Sequence, residues 1–264
     1  MKKFLLSSAA ICMISVFSFA QNPNEDTQQT QKIGFNYAFT HFDKRFNDPW
    51  HLASVSYSKQ QKWGYTGLNL NYANRFNKNG SELELETYPK FKKGMYAYVG
   101  GAAKLSSNAL FPNYRVGFSL YQSLGRKLEL ETGIRHLAFD QQTDVWVLGL
   151  GKYMGNAFIN LRSYWSRNNG RWNESFILSS KFYLSDDRFD YFSVNVGTGV
   201  AFDDPTQINN VVYQLNSFRA GADYSRNIGK KSIIKAGFQW INEEYQNDTY
   251  GNQLGANIGF YQKF

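Results

Sequence analysis

Charged side chains recur at every second residue in several stretches of this chain, which places them on one face of an extended strand. Glu82, Glu84 and Glu86 alternate with Leu83 and Leu85, and Glu129 and Glu131 flank Leu130. Arg115, Arg135, Arg162, Lys181, Arg219, Lys235 and Lys263 each take the polar side of an alternating segment. Acids thus gather on two stretches and bases on the others. Facing one another in a confined space, such groups could pair and knit an interior shut; kept apart, they could set a transverse field suited to small polar or zwitterionic solutes.

Other chemistry has less to work with. Hydrolysis needs a nucleophile or water activated by an imidazole, and the chain has three histidines. His41 and His51 share parity with the apolar Phe39 and Ala53, and His136 with Leu130 and Ile134, so all three point away from the charged face. No G-x-S-x-G, H-x-x-x-H or H-E-x-x-H occurs, and Asp186-Asp187 and Asp203-Asp204 read as turn residues rather than calcium ligands. Gly100-Gly101 precedes no helix and so is no phosphate loop. Neither a metal nor a cofactor is called for, and a non-enzymatic protein is expected.

The elements that position these residues have a period of two. In the last of them Leu254, Ala256, Ile258 and Phe260 share one face, and Gly255, Asn257, Gly259, Tyr261 and Lys263 share the other. The same alternation predicts strands near 32–42, 49–60, 63–76, 81–90, 94–105, 113–124, 127–139, 144–153, 156–167, 173–184, 190–201, 211–226, 231–244 and 250–264. Short connections (Gly125-Arg126, Gly155-Asn156) alternate with longer ones (Asp43–Pro49, Ser106–Pro112, Arg167–Trp172, Asp203–Asn210, Gln246–Gly251). Outer-membrane barrels show this asymmetry, and an even strand count returns both termini to the periplasmic side. The expected fold is all-β, a transmembrane antiparallel up-and-down β-barrel of about fourteen strands, with twelve as the alternative.

Composition agrees once this period is known. Mean hydropathy is −0.50, yet 17% of the 264 residues are aromatic. Only every second strand residue needs to meet lipid, so the average stays low. Five of the Trp residues (Trp63, Trp146, Trp165, Trp172, Trp240), with Trp50, stand toward strand ends, as an aromatic girdle at the lipid headgroups would. A soluble sandwich or lipocalin-like barrel is the alternative, but such barrels are usually shorter. The net charge of +8 is spread along the chain, which excludes the clustered basic face of a nucleic-acid binder. Residues 1–20, with Lys2 and Lys3 before a short apolar run and small residues ahead of a cleavage position after Ala20, read as a signal peptide. Residues 21–31 read as a flexible periplasmic leader and 32–264 as the barrel, located in the cell outer membrane. Fourteen tilted strands give a backbone radius of about 14 Å, which long inward side chains nearly close. The outer loops, at most about ten residues, are too short to fold inward as a large plug, so lumen side chains would set any permeability.

Several stretches carry a family resemblance. They are L-N-L-N-Y-A-N-R-F through E-L-E-L-E-T-Y-P (Leu68–Pro89), L-F-P-N-Y-R-V-G (Leu110–Gly117), Y-Q-S-L-G and E-L-E-T-G-I-R-H-L (Tyr121–Gly125, Glu129–Leu137), and G-K-Y-M-G-N (Gly151–Asn156). Together they resemble the YaiO family of outer-membrane proteins. The resemblance implies a β-barrel in the outer membrane of a Gram-negative bacterium and brings no agreed solute or reaction. The terminal Phe264 is similar to the C-terminal signal by which such barrels reach their assembly machinery; Gln262, where an aromatic is common, departs from it. The expected partners are outer-membrane lipids, that machinery and a small polar solute. The expected role is structural or that of a narrow pore, the alternative being an outer-membrane enzyme acting on lipid or envelope glycan.

Overall fold

The computed structural model describes residues 30–264 apart from 45, 76, 92–93, 169–170, 200–215 and 247. The signal segment with its cleavage position at Ala20, most of the leader and the Asp203–Asn210 connection lie outside the described residues. Fourteen strands follow in order: β1 (Gln31–Phe42), β2 (Trp50–Gln61), β3 (Gly64–Arg75), β4 (Lys78–Pro89), β5 (Met95–Lys104), β6 (Tyr114–Gly125) and β7 (Leu128–Ala138), then β8 (Gln142–Met154), β9 (Ala157–Asn168), β10 (Arg171–Tyr183), β11 (Tyr191–Thr198), β12 (Ser217–Ile228), β13 (Ser232–Gln246) and β14 (Thr249–Lys263). Each pairs antiparallel with its sequence neighbours and β1 pairs with β14, so the sheet closes into a barrel and the twelve-strand alternative falls.

The period of two decides which face each residue takes. On β8, Thr143, Val145, Val147, Gly149 and Gly151 are buried inside while Asp144, Trp146, Leu148, Leu150 and Lys152 are exposed outside. Around the barrel the exposed face is apolar: Leu85, Trp146 and Ile258 are each more than half exposed. A soluble barrel would bury these rings and branched chains; here they are left to lipid. Glycines at positive φ, Gly155 (61°) and Gly229 (63°), make the tight turns between β8 and β9 and between β12 and β13, a conformation that costs other residues strain. The start of β1 and the end of β14 lie together, where Gln31 N–H donates to Phe264 O (3.3 Å) and Phe264 N–H to Gln31 O (3.0 Å).

Three expectations change. Trp50 does not join a girdle: it is buried on the inward face against Phe42 and Phe46, because its parity on β2 is that of Leu52 and Ser54. Trp63, Trp146 and Trp172 are exposed as a girdle requires, and Trp165 pairs across strands with Trp146. The alternation of short and long connections is weaker than the turn chemistry implied. Strand pairing runs through most of Arg167–Trp172 and Gln246–Gly251, while residues 184–190, at the end that carries Gln31 and Phe264, form a long connection. Finally, two connections fold into the barrel.

Candidate functional site

Among the described residues, polar side chains converge in the lumen. Inward parity brings Glu82 and Glu84 of β4 to Arg115 of β6: the guanidinium lies 3.1 Å from Glu82 Oε1 and 2.9 Å from Glu84 Oε1. On β7, Glu131 accepts from Ser119 Oγ (2.9 Å), Tyr121 OH (2.8 Å) and Arg162 Nε (2.8 Å), and Arg135 stands 3.8 Å away. These groups are almost wholly withdrawn from water; Glu82 is 0% and Glu131 3% exposed. A carboxylate held by a guanidinium and neutral donors is satisfied in such a place, so the charges of this sector are paired rather than free.

Glycine makes the room. Gly117 lies opposite Arg135, and Gly149 opposite both Glu131 and Arg162. A Cβ on Gly149 would stand 2.9 Å from Glu131 Oε2, and one on Gly117 2.7 Å from Arg135 Cδ, closer than atoms pack. Each bulky charged chain lies across a residue that has no side chain.

The remaining candidates also face inward. Glu86 packs over Gly67, Lys181 Nζ sits 4.4 Å from the Tyr191 ring centroid, and Lys235 Nζ 4.9 Å from that of Tyr261. Arg219 and Lys235 are buried; Glu129 takes inward parity beside Gly151. The two carboxylate-bearing strands and the lysines therefore occupy different sectors. On β11–β13 the inward Asn195, Gly197, Gly221, Asp223 and Gly237 are smaller and stay part-exposed, in contrast with the buried Glu82, Glu131, Arg135 and Arg162.

Both ends are narrowed from within. The connection between β5 and β6 is tied down by Leu105 N–H to Ser81 O (2.8 Å) and Asn113 N–H to Ala138 O (2.7 Å), and it buries Leu110 and Phe111 against Ala38, Leu52 and Ala73. At the other end the connection 184–190 crosses beneath the lumen, where Arg188 donates to Gln60 Oε1 (3.4 Å) and Lys263 Nζ lies 3.2 Å from Asp187. Asp190 fixes that turn. Although partial desolvation opposes it, hydrogen bonds from Asn227 and Ser185 hold the Asp190 carboxyl below its ordinary range. Loops of this length narrow the barrel because they need only lie along the wall and turn in an apolar tip. The run Leu110-Phe111-Pro112 was the available signal. A second apolar group, Leu137, Val145, Val147 and Tyr164, was hidden because these residues sit where polar ones were expected.

A family model described as the YaiO membrane beta barrel domain matches residues 30–204. The chain belongs to the YaiO family. No curated protein sequence matches it significantly. Among solved structures, this YaiO barrel is similar to the CymD monoaromatic hydrocarbon channel, with 8% identity and a TM-score of 0.56 over 92% of this chain and 90% of that one. It is also similar to the outer membrane protein Omp33 of Acinetobacter baumannii, with 10% identity and a TM-score of 0.52 over 89% and 99%. At such identities the likeness is one of fold. It is an outer-membrane β-barrel, and its surroundings are membrane lipid.

The histidines of the YaiO barrel take the outer side. His51 Nδ1 is 2.6 Å from Tyr37 OH, and its ring packs on Phe39. His136 Nδ1 is 2.7 Å from Asp144 Oδ1, with the Tyr114 ring stacked on it at 5.7 Å. The His136–Asp144 pair joins adjacent strands in register and was missed because parity says which face a residue takes but not which partner it meets.

Proposed function

We propose that this protein is a constricted outer-membrane channel for small polar solutes, with the passage along the small-residue sector of β11–β13. The observation that carries this reading is the asymmetry of the lumen. One sector is filled by bonded Glu–Arg groups, while the inward Asn195, Gly197, Gly221 and Gly237 on β11–β13 are smaller and part-exposed. Selectivity in such a pore follows from its width and its lining groups. Export by residues 1–20, a periplasmic position for the termini and recognition of Phe264 by the assembly machinery belong to the same reading. Refolded protein in planar bilayers should give small conductance steps, which Gly221→Trp reduces by about twofold or more by filling the passage. Folded protein without any step ends the channel reading.

We further propose that it is no enzyme. The His136–Asp144 pair orients an imidazole as a catalytic dyad would. Its neighbours by register and parity are the apolar Val116, Ile134 and Trp146 and the stacked Tyr114 ring. The pair then serves as a polar contact at the lipid interface. The refolded protein should leave phospholipid intact; hydrolysis that disappears in His136→Ala would assign it the opposite role.

A further inference from the structure

Near the end that carries Gln31 and Phe264, one lumen carboxylate stands outside the bonded groups. Glu129 lies at the start of β7, one inward position before Glu131. On the two neighbouring strands it meets Ser123 of β6 and Gly151 of β8, residues too small to cover it. Beyond them stand two aromatic pairs. Tyr96 and Tyr121 stack on the β6 side, with centroids 4.5 Å apart and planes 4° from parallel, and Tyr153 and Phe158 pack on the β8 side at 4.6 Å. Glu129 is the foremost charge acting on the Tyr96 and Tyr153 phenols. The Tyr96 hydroxyl faces its carboxylate, whereas the Tyr153 hydroxyl is buried without a hydrogen-bond partner.

The cations of the wall are engaged elsewhere. Arg162, whose charge reaches Glu129, is bonded to Glu131 at 2.7 Å. Arg135, 3.8 Å from Glu131, donates to the carbonyls of Phe118 and Ile134 and lies over the Tyr98 ring. Lys181 lies over the Tyr191 ring, and Asp223 is the carboxylate that acts on it. Among the described residues Glu129 therefore makes no ion pair, and like Tyr96 and Tyr153 it stays part-exposed on the inward face.

We propose that this corner of the lumen is a binding site for the ammonium group of a small organic cation, held by Glu129 beside the rings of Tyr96 and Tyr153. The charges of Glu129, Glu131, Arg135 and Arg162 balance, so the arrangement rather than a net charge selects the ligand. Two arginines serve Glu131 and leave Glu129 with a phenol. An ammonium brought among the rings gives Glu129 a charge-assisted partner, and its carbon shell meets aromatic groups whose quadrupole attracts cations. Where the nitrogen carries an N–H, the Tyr153 oxygen accepts from it. An anion or a neutral solute gains neither contact. The site rests on the channel reading only for how the cation travels onward.

The test uses the full chain folded in octyl glucoside, a detergent without an ammonium group, titrated with choline at constant ionic strength. Saturation transfer from the protein to the choline N-methyl protons is followed by NMR. Wild type should show saturable transfer. The apparent affinity should fall by about tenfold in Glu129→Gln, which keeps the shape and loses the charge, and by about threefold or more in Tyr153→Leu. Asp248→Asn, in the exposed turn between β13 and β14 at the opposite end, should bind as wild type. A heat-modifiable gel shift verifies that each variant is folded, and Tyr153→Leu carries the test should Glu129→Gln not fold. No saturable transfer in wild type, or equal affinity in every folded variant, overturns the site. Transfer to phosphatidylcholine in mixed micelles and not to free choline overturns it as a solute site and makes it a headgroup contact. The two readings separate cleanly: conductance steps without choline binding leave the channel and remove this site, whereas binding without steps does the reverse.

Discussion

Glu131 shows how one side chain organises a lumen. Its two oxygens take hydrogen bonds from Ser119, Tyr121 and Arg162, with Arg135 close by, at 3% exposure. Removing one partner of such a buried set strands the other charges, which typically costs more than the net worth of the pair. Glu131→Ala should therefore lower stability by about 3–5 kcal/mol, while Glu131→Gln, which keeps the shape and part of the bonding, should lose only about 1–3 kcal/mol. Reversible denaturant unfolding in lipid vesicles measures both. Equal stability of Glu131→Ala and wild type would mean that the guanidiniums are held by something else. Parity in the sequence places Glu131 inside and leaves its partner open, because choosing Arg162 over the other inward bases depends on neighbouring strands being in register.

At the scale of the element, alternation is legible because lipid outside and polar groups inside impose opposite demands on successive residues. Among the described residues the expected strands therefore fall within a few residues of those formed, the start of the expected 211–226 lying outside them, and the inward set of charges follows from parity. Three kinds of feature stay hidden. Trp50 and Val145 break the rule that inward means polar, since the far end of the lumen is packed with apolar groups that meet Phe46 and Tyr164 rather than lipid. The connections 105–113 and 184–190 fold inward through contacts far away in the chain, as Arg188 with Gln60 shows, and no local pattern encodes such a partner. The glycines at Gly117 and Gly149 could be read as relief of crowding, but the chains they accommodate, Arg135 and Glu131, are named only by the register.

For the whole molecule, closure is the step that cannot be left out. In hydrocarbon every unpaired N–H or C=O costs several kcal/mol, so an open sheet edge is excluded and the seam between first and last strands must form. Here the seam runs from Lys32 opposite Lys263 to Phe42 opposite Gln253, with Gln31 and Phe264 exchanging backbone hydrogen bonds at its end. A closed barrel resists detergent unfolding at room temperature, so the unboiled protein should migrate faster on a gel than the boiled one. A variant lacking residues 249–264 exposes both β1 and β13 and should lose that shift altogether. Phe264→Ala retains the backbone bonds of the seam and should keep the shift once folded. An unshifted wild type would count against the closed barrel itself, whereas a shifted truncation would show that the remaining strands close without β14.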